Sequence, residues 1–274
     1  MTRVILLSPV WRLVTAALAA TALLTLPTYV LALVLLEPVP PIVMERSFAL
    51  GTALPALVAW GIARAFRGAV SVRDARLRIA RADVALDVGA SAIAAVQPWW
   101  LPLPTAGLRL VLAGGEPVPF RLADRTLAGA LDAVDAAGVD TSAARRHPTA
   151  VWAATRRPWS LGELVLKFGV LTVLPASLLF YTHQHIAYGG TFGQWYLEGP
   201  RAYWTTFAHY WATTAILLVS YASFWRGGTE VIVWLTAAIA PSAAKTVRRV
   251  AEAICAIAYY AGVPVLLALR YLAP

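Results

Sequence analysis

Hydrophobic positions in this chain fall into two patterns. Some runs continue for about 20 residues, the length of a helix crossing a bilayer; others alternate with polar residues, as in strands with one buried face. Residues 13–36 hold no charge, and at about 1.5 Å per residue they cover a ~30 Å hydrocarbon core with some tilt. Residues 48–66 form a second run, and the short connection between the two predicts an antiparallel hairpin. Pro27 and Pro55 predict kinks. Further runs at 161–181, 207–224 and 250–269 predict three more spans. Residues 230–242 are apolar but short, and predict an interfacial or re-entrant segment rather than a sixth span.

Between the second and third runs lies a polar island, Arg67 to Arg157, with 12 of the 23 basic and 8 of the 14 acidic residues. Within it Val72, Leu77, Ile79, Leu86 and Val88 are spaced by charged residues, Asp74, Asp83 and Asp87 among them, at strand-like intervals. Residues 91–96 can continue this pattern, and the prolines around Trp99 and Trp100 predict a stiff loop. Gly107–Leu112 is a clear strand, Gly114-Gly115 a hairpin turn and Val118–Leu122 the returning strand. Asp124 is placed to cap a short helix, with Leu127, Leu131 and Val134 on one face and Gly138 at its end. Short strands, a glycine turn and a closing helix over about residues 70–138 resemble the small bacterial pleckstrin-homology-like domains of membrane proteins. A smaller α+β domain fits the pattern as well.

The expected fold is therefore an α-helical membrane protein of about five spans with a small cytoplasmic β-rich, pleckstrin-homology-like domain inserted between the second and third. Its parts are a helical hairpin (1–66), the domain (67–138), a basic linker (139–160) and a membrane region (161–274) with an outer aromatic loop at 182–206. Arg3 and Arg12 before the first run resemble the start of a signal peptide, but that run is long and lacks a small-x-small cleavage site, which predicts a retained helix.

Composition agrees with this class, at 59% hydrophobic and 14% charged. The net charge of +9 comes almost wholly from arginine, since lysine occurs only at 167 and 245. In a membrane protein such an excess marks cytoplasmic loops and anionic headgroups, not nucleic acid. With five spans and the N-terminus inside, 19 basic residues face the cytoplasm, and only Arg46, Arg201 and Arg270 face outward. The expectation is a multi-pass bacterial inner-membrane protein. Its N-terminus and residues 67–160 lie in the cytoplasm and its C-terminus in the periplasm.

Candidate chemistry is sparse. Cys255 is the single cysteine, so an intramolecular disulfide and a cysteine metal cluster are excluded. Phosphate-cradling glycine loops, zincin motifs and paired intramembrane carboxylates are absent from the sequence. Ser160 and Glu163 form a capping box, which accounts for both without catalysis. His183 and His185, extended with both imidazoles on one side, together with His209, are the candidate metal set for copper, zinc or haem; the rival reading of this stretch is an interfacial aromatic belt. Arg145, Arg146, Arg156, Arg157, Lys245, Arg248 and Arg249 are the candidate lipid-headgroup residues. The leading expectation is a non-enzymatic accessory, assembly or scaffold protein without a cofactor, docking a protein partner or membrane lipid. A metal or haem redox protein and a lipid-handling protein are the alternatives.

Overall fold

A computed structural model of the chain describes residues 2–35, 40–81, 84–124 and 126–265. The chain divides into two compact units. The first comprises Met1–Ala22, Leu54–Arg156 and Gly228–Ala251; the second Leu23–Ala53, Arg157–Gly227 and Glu252–Pro274.

The first unit is built on one antiparallel sheet of seven strands, curled into half a barrel. The strands are β1 (Thr2–Leu7), β2 (Arg67–Arg73), β3 (Arg76–Arg81), β4 (Val84–Gly89), β5 (Ile93–Pro98), β6 (Gly107–Leu112) and β7 (Arg121–Ala123), in the order β4-β3-β2-β1-β7-β6-β5. The central strand is the N-terminal one: β1 pairs with β2 through Thr2↔Val70 and with β7 through Leu7↔Arg121. Alternation sends Val4, Leu6, Val70, Leu77, Ile79, Leu108, Leu110 and Leu122 into one core. Helix α4 (Ala128–Ala136) closes that core with Leu131 and Val134, after Leu127 at φ +59°. The expected cap at Asp124 is thus displaced: its backbone N–H donates to Ala106, and its carboxylate accepts from Thr126. Gly115 takes φ +84° in the β6–β7 turn, where glycine carries no Cβ penalty.

Five spans with a small inserted domain are not what the fold shows. Among the described residues three helices are long and apolar enough to cross a membrane, Pro9–Ala32, Pro41–Ala65 and Leu161–Tyr188. The domain is also not an insertion, because its middle strand precedes the first of these helices. The short apolar run of β1 merges with the helical pattern after it, and only Ser8-Pro9 marks the junction. Pro9 opens α1 (Pro9–Leu35), and Ser8 Oγ accepts from the Trp11 N–H at 3.4 Å. The second candidate span is α2 (Pro41–Phe48), a π-helical turn at Ala49–Ala53 and α3 (Leu54–Ala65) in sequence. The turn precedes Pro55, whose ring cannot supply an i→i−4 bond.

After α4 come two short helices of the first unit, α5 (Ser142–Arg146) and α6 (Pro148–Thr155). The chain then re-enters the second unit with α7 (Leu161–Val165), opened by the expected Ser160–Glu163 capping box. A π-helical turn follows at Leu166–Val170, then α8 (Val173–Tyr188) and α9 (Gly193–Glu198). The expected outer loop at 182–206 is therefore largely helical. The expected fourth span and the 230–242 segment are one helix, α10 (Pro200–Ile239), 40 residues long. Gly227-Gly228 does not break it, at a cost of about 1 kcal/mol each relative to alanine. Its apolar face is diluted by His209, Tyr210, Trp211, Thr213 and Thr214, so it lacks the composition of a span. Pro241 ends it as expected. The predicted fifth span is instead α11 (Ala244–Ile257) and a π-helical turn to Gly262. Lys245, Arg248, Arg249 and Glu252 make α11 amphipathic. Pro38, Asp83, Arg270 and residues 266–269 of the expected last span lie outside the described residues.

Candidate anion-binding site

In the first unit a pocket of about 670 Å³ is lined by Arg12, Arg109, Arg121, His147, Trp99 and Trp100, with Val96 and Leu101 beside them. The sheet supplies its charged floor. Gln97 of β5 lies opposite Arg109 of β6, and Leu7 of β1 opposite Arg121 of β7. The β6–β7 register, Gly107↔Ala123 and Leu108↔Leu122, brings Arg109 opposite Arg121 one step further on. Alternation with the buried Leu108, Leu110 and Leu122 puts both guanidinium groups on the face away from the core. Arg12, one turn into α1, reaches in from the side, with its guanidinium 4.0 Å above the Trp99 ring.

The charges in this pocket are poorly compensated. Arg109 Nε donates to the neutral Gln97 Oε1 at 2.6 Å, and Arg12 Nη2 donates to the Leu101 carbonyl at 3.5 Å. Among the described residues no carboxylate lines the pocket. Burial, and then the Arg109 charge, hold the Arg121 guanidinium below its ordinary value. Arg12 and Arg121 repel each other as well. Three buried donors have no hydrogen-bond partner here: Arg12 Nε, Arg121 Nη1 and Trp99 Nε1. These three atoms belong to residues on the pocket lining but are themselves closed to water, and Trp152 Nε1 and Trp234 Nε1, outside the lining, are unpartnered in the same way; what the pocket presents to a ligand is its guanidinium groups.

The walls are rigidly held. Thr149 Oγ1 donates to the carbonyls of Trp99 and Trp100, tying their loop to α6. Trp99 is buried against Gly107, where a Cβ would lie 2.5 Å from the indole ring. His147 caps α6 by accepting the Thr149 N–H at Nδ1 and meets the Trp100 ring edge-on at 5.0 Å. Burial lowers the His147 pKa, so the imidazole stays neutral near pH 7.

The residues singled out in the sequence lie elsewhere. His183 and His185 are on helix α8, where two residues subtend about 200° around the axis and cannot share a side. His183 contacts Tyr188 and Tyr210; His185 Nδ1 bonds the Tyr181 carbonyl of its own helix at 3.0 Å. His209 donates from Nδ1 to both oxygens of Glu45, at 2.9 and 3.0 Å. Among the described residues no three His, Cys, Asp or Glu side chains are grouped to hold a metal. Of the expected lipid-headgroup set, Arg248 is buried and bound to Glu230 at 2.8 Å and to Thr155. Arg156 lies 3.8 Å from Glu230 and over the Trp152 ring. Arg145 binds Asp132 at 2.7 Å, and Arg146 reaches the Ser142 carbonyl. Arg157, Lys245 and Arg249 are exposed, Arg157 with Glu163 at 3.9 Å. Arg12, Arg109, Arg121 and His147 are not in the expected set. The hairpin itself was expected, but a two-residue turn at Gly114-Gly115 sets position 109 opposite 120; the observed register is shifted by one and brings Arg109 opposite Arg121.

Compared with family models, curated proteins and solved structures, the chain matches none.

Proposed function

We propose that this is a non-enzymatic membrane protein, an accessory or scaffold subunit, whose first unit docks an anionic group in the Arg12–Arg109–Arg121 pocket. The observation that carries this reading is three guanidinium groups converging on one cavity with no carboxylate among the described residues of its lining. Like charges facing one another across strands destabilise a sheet. A bound anion turns that repulsion into charge-assisted hydrogen bonds. The lining holds no nucleophile with a base and no paired acids, so the pocket is suited to holding a group and not to transforming it.

The membrane part of the proposal rests on the three apolar helices. Two of them lie between β1 and β2, which are hydrogen-bonded neighbours, so the chain leaves the sheet and returns to its own side through an even number of crossings. Basic residues crowd the sheet unit and its linker, and this charge bias supports a cytoplasmic side for that unit at a bacterial inner membrane. The pleckstrin-homology-like reading is kept in this proposal, supported by six strands, β2–β7, followed by α4, with β1 joining their sheet from before the first helix. Partners in this reading are membrane lipids and a protein docked on the same unit.

The test is a melting curve of the purified protein in neutral detergent during titration with phosphate or pyrophosphate. The wild type is expected to gain several degrees, and Arg109→Gln/Arg121→Gln to gain none while melting no lower without anion. Equal responses in both would reduce the effect to general salt stabilisation and sink the reading.

A further inference from the structure

Building on that reading, we propose that the pocket is specific for a terminal phosphate or diphosphate carried on a lipid, and discriminates against the phosphodiester of ordinary phospholipids. Three features converge on this ligand. The first is charge. Arg12, Arg109 and Arg121 bring three positive charges with no acid on the lining. A diester phosphate carries one negative charge and leaves two arginines uncompensated. A phosphate monoester carries about −1.5 to −2 at pH 7, and a diphosphate more.

The second is the count of donors. Three guanidinium groups, those of Arg12, Arg109 and Arg121, stand on the lining. A terminal phosphate offers three strong acceptor oxygens, whereas a diester has only two that are not esterified. The third is size and place. At about 670 Å³ the cavity far exceeds a phosphate ion and leaves room for a ligand body against Val96, Trp100 and Leu101. Arg12 belongs to a helix apolar enough to cross a membrane, and Val10 and Leu13 beside it are exposed. A headgroup held by Arg12 therefore has hydrocarbon-compatible surface within one helical turn.

Native mass spectrometry of the full chain, purified in neutral detergent and offered phosphatidic acid or phosphatidylglycerol of the same acyl chains, tests this. The monoester lipid is expected to be retained about tenfold better than the diester, a difference of about 1.4 kcal/mol. Arg109→Gln/Arg121→Gln should abolish that preference, and Arg12→Gln, which leaves the sheet intact, should reduce it. Arg78→Gln, exposed on β3 and off the pocket, should keep it. Equal retention of the two lipids by the wild type overturns the specificity while leaving anion docking in place. Pyrophosphate binding as tightly as the lipid, and displacing it, overturns the lipid assignment in favour of a soluble phosphate compound. Failure of every anion to bind overturns the docking reading itself.

Discussion

His147 shows how one side chain links the pocket to the stability of its wall. Burial depresses its pKa below 6.5, and its Nδ1 accepts the N–H that caps α6. Protonation is therefore disfavoured in the folded state. The sign follows: stability is full above about pH 6.5 and falls as pH drops through the lower folded value, because the unfolded chain binds the proton more readily. The expected outcome is a melting temperature that declines between pH 7 and pH 5. His147→Asn, which keeps a capping oxygen, should flatten that decline. Gly107 is a second constrained residue. Gly107→Ala pushes a methyl into Trp99, and overpacking of this kind costs about 1–3 kcal/mol. The variant should melt earlier and lose the anion response, which a calorimetric scan with and without phosphate would show. The hairpin was legible, but its expected Gly114-Gly115 turn sets position 109 opposite 120; the register that brings Arg109 opposite Arg121 was decided by the sheet. The presence of Arg12 and His147 was not legible either, since each arrives from an element distant in sequence.

Among the elements, those set by local rules were legible. The Ser160 capping box, the 107–112 strand, the glycine turn and the stop at Gly138 stand where the residues place them. Those that depend on partners were not. A histidine pair separated by one residue shares a side only in extended backbone, and α8 continues through both because Tyr181–Tyr188 has no breaker before Gly189. Residues 230–242 were expected to stand alone, yet Glu230 and Val233 continue α10 into the first unit, where Val233 is fully buried. There Glu230 accepts from both Nη atoms of Arg248, at 3.2 and 2.8 Å, and so fastens α10 to α11. Removing one partner of a buried pair costs about 3–5 kcal/mol, because the other charge stays buried. Glu230→Ala should therefore lower the melting temperature sharply, whereas Glu230→Ala/Arg248→Met should recover most of the loss. Equal losses in both would mean that a stranded Arg248 charge is not what the single replacement costs.

For the molecule as a whole, the bond between β1 and β2 constrains any membrane arrangement. In a background of Cys255→Ala, single cysteines at Arg3, Pro40 and Ser91 report the sidedness. Positions 3 and 91 are expected to be labelled from the cytoplasm only, and position 40 from the periplasm. Labelling of 3 and 91 from opposite sides would contradict the sheet, and labelling of both from the periplasm would reverse the orientation. By itself the sequence determined the long apolar helices, the polar island with its strands and the arginine excess, because hydropathy period and charge are local properties. Only the tertiary structure decided that the N-terminal residues form the middle strand, that two expected segments are one helix, and that three arginines far apart in the chain share a pocket. The reason is that sheet pairing and charge convergence are relations between distant segments, and no window along the chain contains both partners.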